Sequence, residues 1–252
     1  MNPKSTVTTA RELELADALA AVQARLAHAA QAAGRNIDEI ELLPITKFFP
    51  ATDVHILTRL GCTAFGESRE QEASNKAVEV RTMSGSEAIR WHMVGRIQRN
   101  KARSIAGWAY AAHSVDSEKL ITALDRAAAE ALSDGRRAEP LRVYIQLSLD
   151  GDEQRSGVDV GRQDRIDELC AAANAAEGLS FVGLMAIPPL GSDPDDAFAR
   201  LSAEHQRVQH DYQQRLGLSA GMSSDLEVAV KHGSTCVRVG TALMGQRPLT
   251  SP

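Results

Sequence analysis

Glu41-Leu42-Leu43-Pro44-Ile45-Thr46-Lys47-Phe48-Phe49-Pro50 is the stretch on which the fold turns. Residues 41–47 form a short apolar run of strand length that stops at a lysine. A proline follows, and residues 52–60 then read as a helix. The same unit recurs along the chain. Apolar runs rich in Val, Ile and Leu stand at 41–47, 63–66, 92–95, 110–114, 142–147, 181–186, 218–220 and 236–239. Helical stretches follow at 52–60, 71–82, 98–106, 118–132, 162–176, 195–216 and 224–232. Alternation of this kind implies parallel strands joined by crossover helices. Eight units in a chain of 252 residues fit an α/β fold of the closed (β/α)8 TIM-barrel type, for which about 250 residues are usual. A doubly wound open sheet is the competing arrangement. An alanine- and leucine-rich helix at 9–33, stopped by Gly34, precedes the first strand. No shift in composition marks a second domain. The polar, glycine-punctuated residues 150–158 read as a mobile loop after the fifth strand, and the tail beyond residue 246 as frayed.

Lysine is the side chain most often left in water, yet Lys47 ends an apolar strand. A buried lysine must pair or lose its proton, and a desolvated amine is a usable nucleophile for Schiff-base chemistry. The plainer alternative is a snorkelling lysine whose stem covers apolar surface. Barrel function collects at the C-terminal ends of the strands. Closure would make the first and last strands neighbours and bring Lys47 and Arg238 to one pocket. Barrels often hold phosphate with the loops after strands seven and eight. Here these are Gly221-Met222-Ser223-Ser224-Asp225 and Gly240-Thr241-Ala242, whose glycines allow close backbone approach and whose hydroxyls donate. Ser224 with Glu227 also reads as a helix capping box. A nucleophilic lysine beside a phosphate site fits pyridoxal 5′-phosphate or a sugar phosphate in an aldolase. No convincing set of acid–base carboxylates accompanies the lysine, which weakens the aldolase reading.

The net charge of −5 argues against a protein built to grip nucleic acid. No apolar stretch approaches the roughly 20 residues needed to span a bilayer. The N-terminus has no apolar signal core. The three cysteines are scattered, without metal-ligand spacing, and the seven histidines form no paired motif. The expectation is a cytoplasmic protein with free thiols and no metal. His92 and His113 read as structural, hydrogen-bonded histidines. Arg96, Arg99, Lys101 and Arg103 read as a solvated helix face, and the acidic residues 193–196 as a helix N-terminus.

Several stretches together resemble one family. They are 43–47; Phe65-Gly66-Glu67; Trp91-His92-Met93-Val94-Gly95 with Gln98-Arg99-Asn100-Lys101; His113-Ser114-Val115-Asp116; Gly183-Leu184-Met185; Gly221-Met222-Ser223-Ser224-Asp225; and Gly233-Ser234-Thr235 running through Val237-Arg238-Val239-Gly240-Thr241 to Gly245. In this order and over nearly the whole chain, they are similar to the pyridoxal phosphate homeostasis proteins (the YggS/PROSC-like family). The resemblance implies a barrel like the alanine racemase N-terminal domain, spanning 1–252 as a single cofactor-binding domain with a helical extension at 1–36. It implies pyridoxal 5′-phosphate joined to Lys47 as an aldimine, Arg238 at the pyridine nitrogen, the phosphate held by Ser223, Gly240 and Thr241, and Met222 lining that loop. Where the family usually has Asn, this chain has the shorter Ser68, which is still counted among the cofactor-binding residues. The family's usual His after Gly95 is Arg96 here, and the Met common before the Gly-Met-Ser segment is Ala220.

The function so implied is intracellular carriage of the cofactor without robust catalysis, with pyridoxal phosphate-dependent apoenzymes as possible recipients. An amino-acid racemase is the alternative. Racemases of this barrel type also need an acid–base residue from a second domain at a dimer interface. This chain runs only to Pro252, so half of that proton-transfer apparatus is expected to be missing, and a monomer is expected.

Overall fold

A ring of parallel strands organises the chain, and the first and second of them close it. The computed structural model describes residues 9–84, 89–152 and 156–247. Its strands are β1 (Glu41–Pro44), β2 (Ala64–Glu67), β3 (Arg90–Met93), β4 (Ala111–Val115), β5 (Leu141–Ser148), β6 (Val158–Asp159), β7 (Leu179–Ala186), β8 (Gly217–Ser219) and β9 (Cys236–Val239). Its helices are α1 (Ala10–Ala32), α2 (Ala51–Arg59), α3 (Glu70–Ser84), α4 (Ala102–Trp108), α5 (Glu118–Ser133), α6 (Gln163–Ala175), α7 (Pro194–Gln209), α8 (Leu226–Lys231) and α9 (Thr241–Met244). The sheet order is β1-β9-β8-β7-β5-β4-β3-β2, with β6 paired to β5 outside the ring. The last gap is bridged where Ile45 pairs with Gly66 and the Thr46 N–H donates to the Gly66 carbonyl at 3.0 Å. β1 therefore bonds to neighbours on both sides. That excludes the open sheet and leaves a (β/α)8 barrel.

The strands read as continuous apolar runs because both their faces are covered, one by the barrel interior and one by helices. β2, β4 and β9 are buried along their whole length. The interior departs from the usual Val, Ile and Leu filling. It holds His92, His113, Ser219 and Arg238, all at most 5 % exposed.

α1 lies outside the ring. Leu15, Leu19, Val22 and Leu26 recur at helical spacing and form its buried stripe, packed with Leu226, Val230, Leu243 and Met244 of α8 and α9. Two arginines of α1 and one just beyond it fasten it. Arg11 donates to Asp53 Oδ2 at 2.7 Å and to the Met244 carbonyl at 3.0 Å. Arg25 donates to Glu227 Oε1 at 2.8 Å and to the Ser223 carbonyl at 3.0 Å. Arg35 donates to the Val230 and Ser234 carbonyls at 3.0 and 2.6 Å. Gly34 ends the segment with φ +64°, a left-handed conformation that glycine adopts without strain.

Several boundaries differ from the sequence reading. β1 stops at Pro44, because only Ile45 finds a partner on β2, so Lys47 lies beyond the strand rather than at its end. β3 starts at Arg90, two residues early, where Thr63 accepts its N–H. α7 ends at Gln209. α8 begins only at Leu226, with Asp225 as its N-cap, and no capping box forms: Glu227 is drawn to Arg25 instead. The segment read as a loop at 150–158 ends in β6, and its residues 153–155 lie outside the described residues. So do residues 1–8 and 248–252, which carry the readings of the extreme N-terminus and the frayed tail. Asp193 does cap α7, accepting from the Asp195 N–H at 2.8 Å.

Candidate functional site

Beyond Ile45 the chain leaves the sheet and turns sharply. Phe48 has φ +71°, the one positive φ outside glycine among the described residues. For a bulky side chain this costs about 1–2 kcal/mol, and a buried network meets that cost. The Phe48 N–H donates to Glu72 Oε1 at 2.6 Å. Lys76 Nζ donates to that same oxygen at 3.1 Å, to Glu67 Oε1 at 2.7 Å and to the Thr46 carbonyl at 2.9 Å. The Thr46 hydroxyl donates to Glu67 Oε1 at 2.7 Å. One ammonium on α3 thus pins the backbone on both sides of Lys47. Glu67 is fully buried; burial pushes its pKa up, and Lys76 opposes that shift. Lys47 itself is half-buried rather than buried, because its side chain leaves past the end of the sheet into the barrel mouth. Its Nζ stands 5.8 Å from the Phe48 ring centroid.

β9, the strand beside β1, supplies the adjoining wall. Arg238 pairs with Leu43 of β1 in register, is 5 % exposed, and donates to Ser219 Oγ at 2.6 Å and to the Ala186 carbonyl at 2.9 Å. Burial pushes its pKa down from the ordinary arginine value. The loop after β8 is held from within, with the Met222 N–H donating to Asp225 Oδ1 at 2.6 Å. It is also held from the neighbouring segment after β9, with the Ala242 N–H donating to Ser223 Oγ at 3.2 Å. At Gly240 an added Cβ would meet nothing nearer than Ile45 Cβ at 3.7 Å. Packing does not demand glycine there, so a side chain would fill ligand space instead. Hydroxyls of Ser223, Ser224 and Thr241 around that opening suit a phosphate group.

These walls enclose a cavity of about 940 Å³ lined by all seven residues singled out in the sequence: Lys47, Ser68, Met222, Ser223, Arg238, Gly240 and Thr241. Ser68 reaches the wall because Gly95 lets two backbones meet; a Cβ at 95 would lie 2.1 Å from the Ser68 carbonyl oxygen. The sequence reading missed Arg96 as a wall residue, together with Gln146, Ser148 and Asp150 from the end of β5. Ser148 Oγ donates to Asp150 Oδ1 at 2.9 Å and Gln146 Nε2 to the Ser156 carbonyl at 3.0 Å. Their signal was the polar turn of an otherwise apolar strand just before its loop. Two other lysines, Lys101 and Lys231, pair with Glu70 at 3.1 Å and Asp195 at 2.7 Å and do not line this cavity.

Behind Arg238 a chain of polar groups crosses the barrel. Ser219 Oγ lies 2.9 Å from His113 Nδ1, and His113 Nε2 lies 2.9 Å from His92 Nδ1. Burial is the main cause that lowers both imidazole pKa values, that of His92 to about 3. Both rings are neutral near pH 7.

Comparison with known proteins places this geometry. The family described as "Alanine racemase, N-terminal domain" matches residues 18–248. The pyridoxal phosphate homeostasis protein of Mycobacterium tuberculosis is 63% identical over 248 residues, covering 96% of each chain. The chain belongs to the pyridoxal phosphate homeostasis protein family. Among solved structures, this family member is similar to PipY of Synechococcus elongatus with PLP bound, at TM-score 0.75 and 30% identity over 92% of this chain and 100% of that one. It also shares its fold with the alanine racemase of Corynebacterium glutamicum, at TM-score 0.61 and 17% identity over 90% of this chain and 60% of that one.

Two outcomes follow from the buried groups. Lys76→Met leaves Glu67 without its partner and lowers unfolding free energy by about 3 kcal/mol. The double change Lys76→Met with Glu67→Leu recovers part of that loss, and urea unfolding of the set measures the coupling. The histidines set a pH dependence. An unfolded imidazole titrates near 6.5 and folded His92 near 3, so the unfolded chain binds more protons between these values. The stabilising share of the neutral histidines is therefore complete above about 6.5 and lost as pH falls. His113→Gln removes one of these titrations, and its stability falls less steeply across that range.

Proposed function

We propose that this chain binds pyridoxal 5′-phosphate in the 940 Å³ cavity and carries it in pyridoxal phosphate homeostasis without robust catalysis. The observation that carries the reading is the meeting on one wall of an amine, a buried arginine and a hydroxyl-and-glycine cradle. The Lys47 amine condenses with the cofactor's aldehyde, releasing one water and forming a Schiff base. Ser223, Gly240 and Thr241 receive the phosphate, Met222 lines that side, and Ser68 faces the same space. Relatives named for this role, and PipY solved with PLP bound, support the assignment.

Arg238 only donates hydrogen bonds. Held by Ser219 and Ala186, it presents a donor to the pyridine nitrogen, which must then accept and stay unprotonated. An unprotonated ring is a poor electron sink, so Arg238 restrains carbanion chemistry. Among the described residues the cavity wall carries no Tyr, His or Cys to serve as a second acid–base group facing Lys47, and the Oδ1 of its one carboxylate, Asp150, accepts from the Ser148 hydroxyl and the Asp152 N–H. Both features favour holding over turnover.

In this reading residues 1–252 act as one cofactor-binding unit, with α1 bracing the phosphate loop through Arg25. Among the described residues the large exposed apolar side chains are Leu13, Ile37, Val78, Met83 and Leu190; a monomer belongs to this proposal. No helix among the described residues is long and apolar enough to cross a membrane. A cytoplasmic site and recipient apoenzymes belong to the same proposal.

Reconstitution tests it. Wild-type protein is expected to gain one equivalent of cofactor with an imine absorbance band, and Lys47→Ala to lose that band. The same protein should exchange the Cα hydrogen of alanine or serine with deuterated solvent no faster than free cofactor does. A reversible band of equal stoichiometry in Lys47→Ala would remove Lys47 as the anchor. Fast exchange that depends on Lys47 would make the protein a racemase-type enzyme.

A further inference from the structure

The opposite mouth of the barrel holds a second cavity, of about 430 Å³, among the N-terminal strand ends. Its walls include Glu41 of β1, Arg90 and His92 of β3, Tyr110 just before β4, and Arg142 and Tyr144 of β5. None of these side chains lines the Lys47 cavity.

The first feature that points to a ligand is a hydrogen-bond donor. His92 is 2 % exposed and lines this cavity, yet its Nε2 has no hydrogen-bond partner. The polar chain from Arg238 decides what that atom presents. Arg238 donates to Ser219 Oγ, so that oxygen accepts, and its own proton goes to the strongest acceptor beside it, His113 Nδ1. His113 then carries its proton on Nε2 and donates to His92 Nδ1. A neutral His92 must carry its proton on Nε2. The chain ends at the cavity floor as a buried N–H without an acceptor, an arrangement proteins rarely leave unfilled.

The second feature is charge. The Tyr110 ring lies under two guanidinium groups, with Arg90 Cζ 5.5 Å and Arg142 Cζ 4.9 Å from its centroid. Glu41 neutralises Arg90 at 2.9 Å. Glu39, at the rim, is taken by Arg215 at 3.1 Å, and Asp38 is exposed beside it. Arg142 has no carboxylate within ion-pair distance among the described residues. Both guanidinium groups act electrostatically on the His92 ring, so charge and donor share one small space.

A guanidinium that makes no ion pair of its own and shares the field of Glu41 with Arg90, beside a directed N–H donor, matches an oxyanion. We propose that the N-terminal mouth of the barrel binds a small carboxylate or phosphate anion, with Arg142 supplying the charge and His92 Nε2–H the directed hydrogen bond. The cavity has room for a small metabolite rather than for a bare ion alone. Because the donor chain starts at Arg238, a ligand here and a group in front of Arg238 occupy the two ends of one hydrogen-bonded path.

The test is a titration of the full-length, ¹⁵N-labelled protein, read at the His92 ring nitrogens by NMR. Inorganic phosphate and acetate are the probes, with chloride at matched ionic strength as control. Phosphate, acetate or both are expected to shift the His92 Nε2–H signal saturably, while chloride does not. Whichever probe saturates identifies the source of the anion. Arg142→Gln should weaken the effect about tenfold or more, and Arg142→Lys should keep most of it. Lys47→Ala should retain it in full, which separates this site from the cofactor cavity. A shift linear in concentration, a shift shared with chloride, or one unchanged in Arg142→Gln would mean an adventitious ion only and would overturn the site.

Discussion

A single buried ammonium, Lys76 Nζ, holds the turn on which the site depends. It touches the carbonyl before Lys47, the carboxylate that receives the N–H after it, and the fully buried Glu67 at the end of β2. Without that set, the left-handed Phe48 has no compensation, and the chain leaving β1 has no fixed direction. The same contacts lie beside the one bridge that closes the barrel, Ile45 with Gly66. Closure of the ring and placement of the amine therefore rest on neighbouring contacts.

From that turn the site extends inward through polar groups that a typical barrel core would lack. Arg238 would be a costly buried charge if it stood alone. Ser219 and the Ala186 carbonyl accept from it, and the Ser219–His113–His92 series carries the hydrogen bonding across the interior. Keeping both histidines neutral avoids adding further positive charge beside a buried guanidinium. Outside the ring, α1 contributes from a distance: Arg25 grips the Ser223 carbonyl and Glu227 together, which steadies the loop opposite Lys47.

Much of this was legible in the amino-acid sequence, for definite physical reasons. Strands covered on both faces read as unbroken apolar runs, so all eight barrel strands were found, and β9 at its observed bounds. Their ends were less legible. Pairing with a distant neighbour decides where β1 stops, and no local pattern reports that. The seven residues expected at the cofactor site, all of which line the cavity, were named from short motifs and the family resemblance rather than from periodicity. Glu72 and Lys76 escaped notice because a Glu–Lys pair four residues apart on a helix normally lies in water. Only closure of β1 onto β2 buries Lys76. Arg142 and Tyr110 were likewise invisible, since nothing in one strand shows which cation its neighbours leave unpaired.

The family relationship places the chain among the pyridoxal phosphate homeostasis proteins, and in the proposed reading the C-terminal mouth of the barrel holds the aldehyde-bearing phosphate. The central claim concerns one bond at one residue. Borohydride reduction of the cofactor-loaded protein, followed by peptide mass mapping, tests it most directly. The account predicts a single reduced pyridoxyl phosphate adduct on the peptide containing Lys47, and on that lysine. An adduct spread over surface lysines, or located on Lys76, Lys101 or Lys231 with Lys47 unmodified, would contradict it.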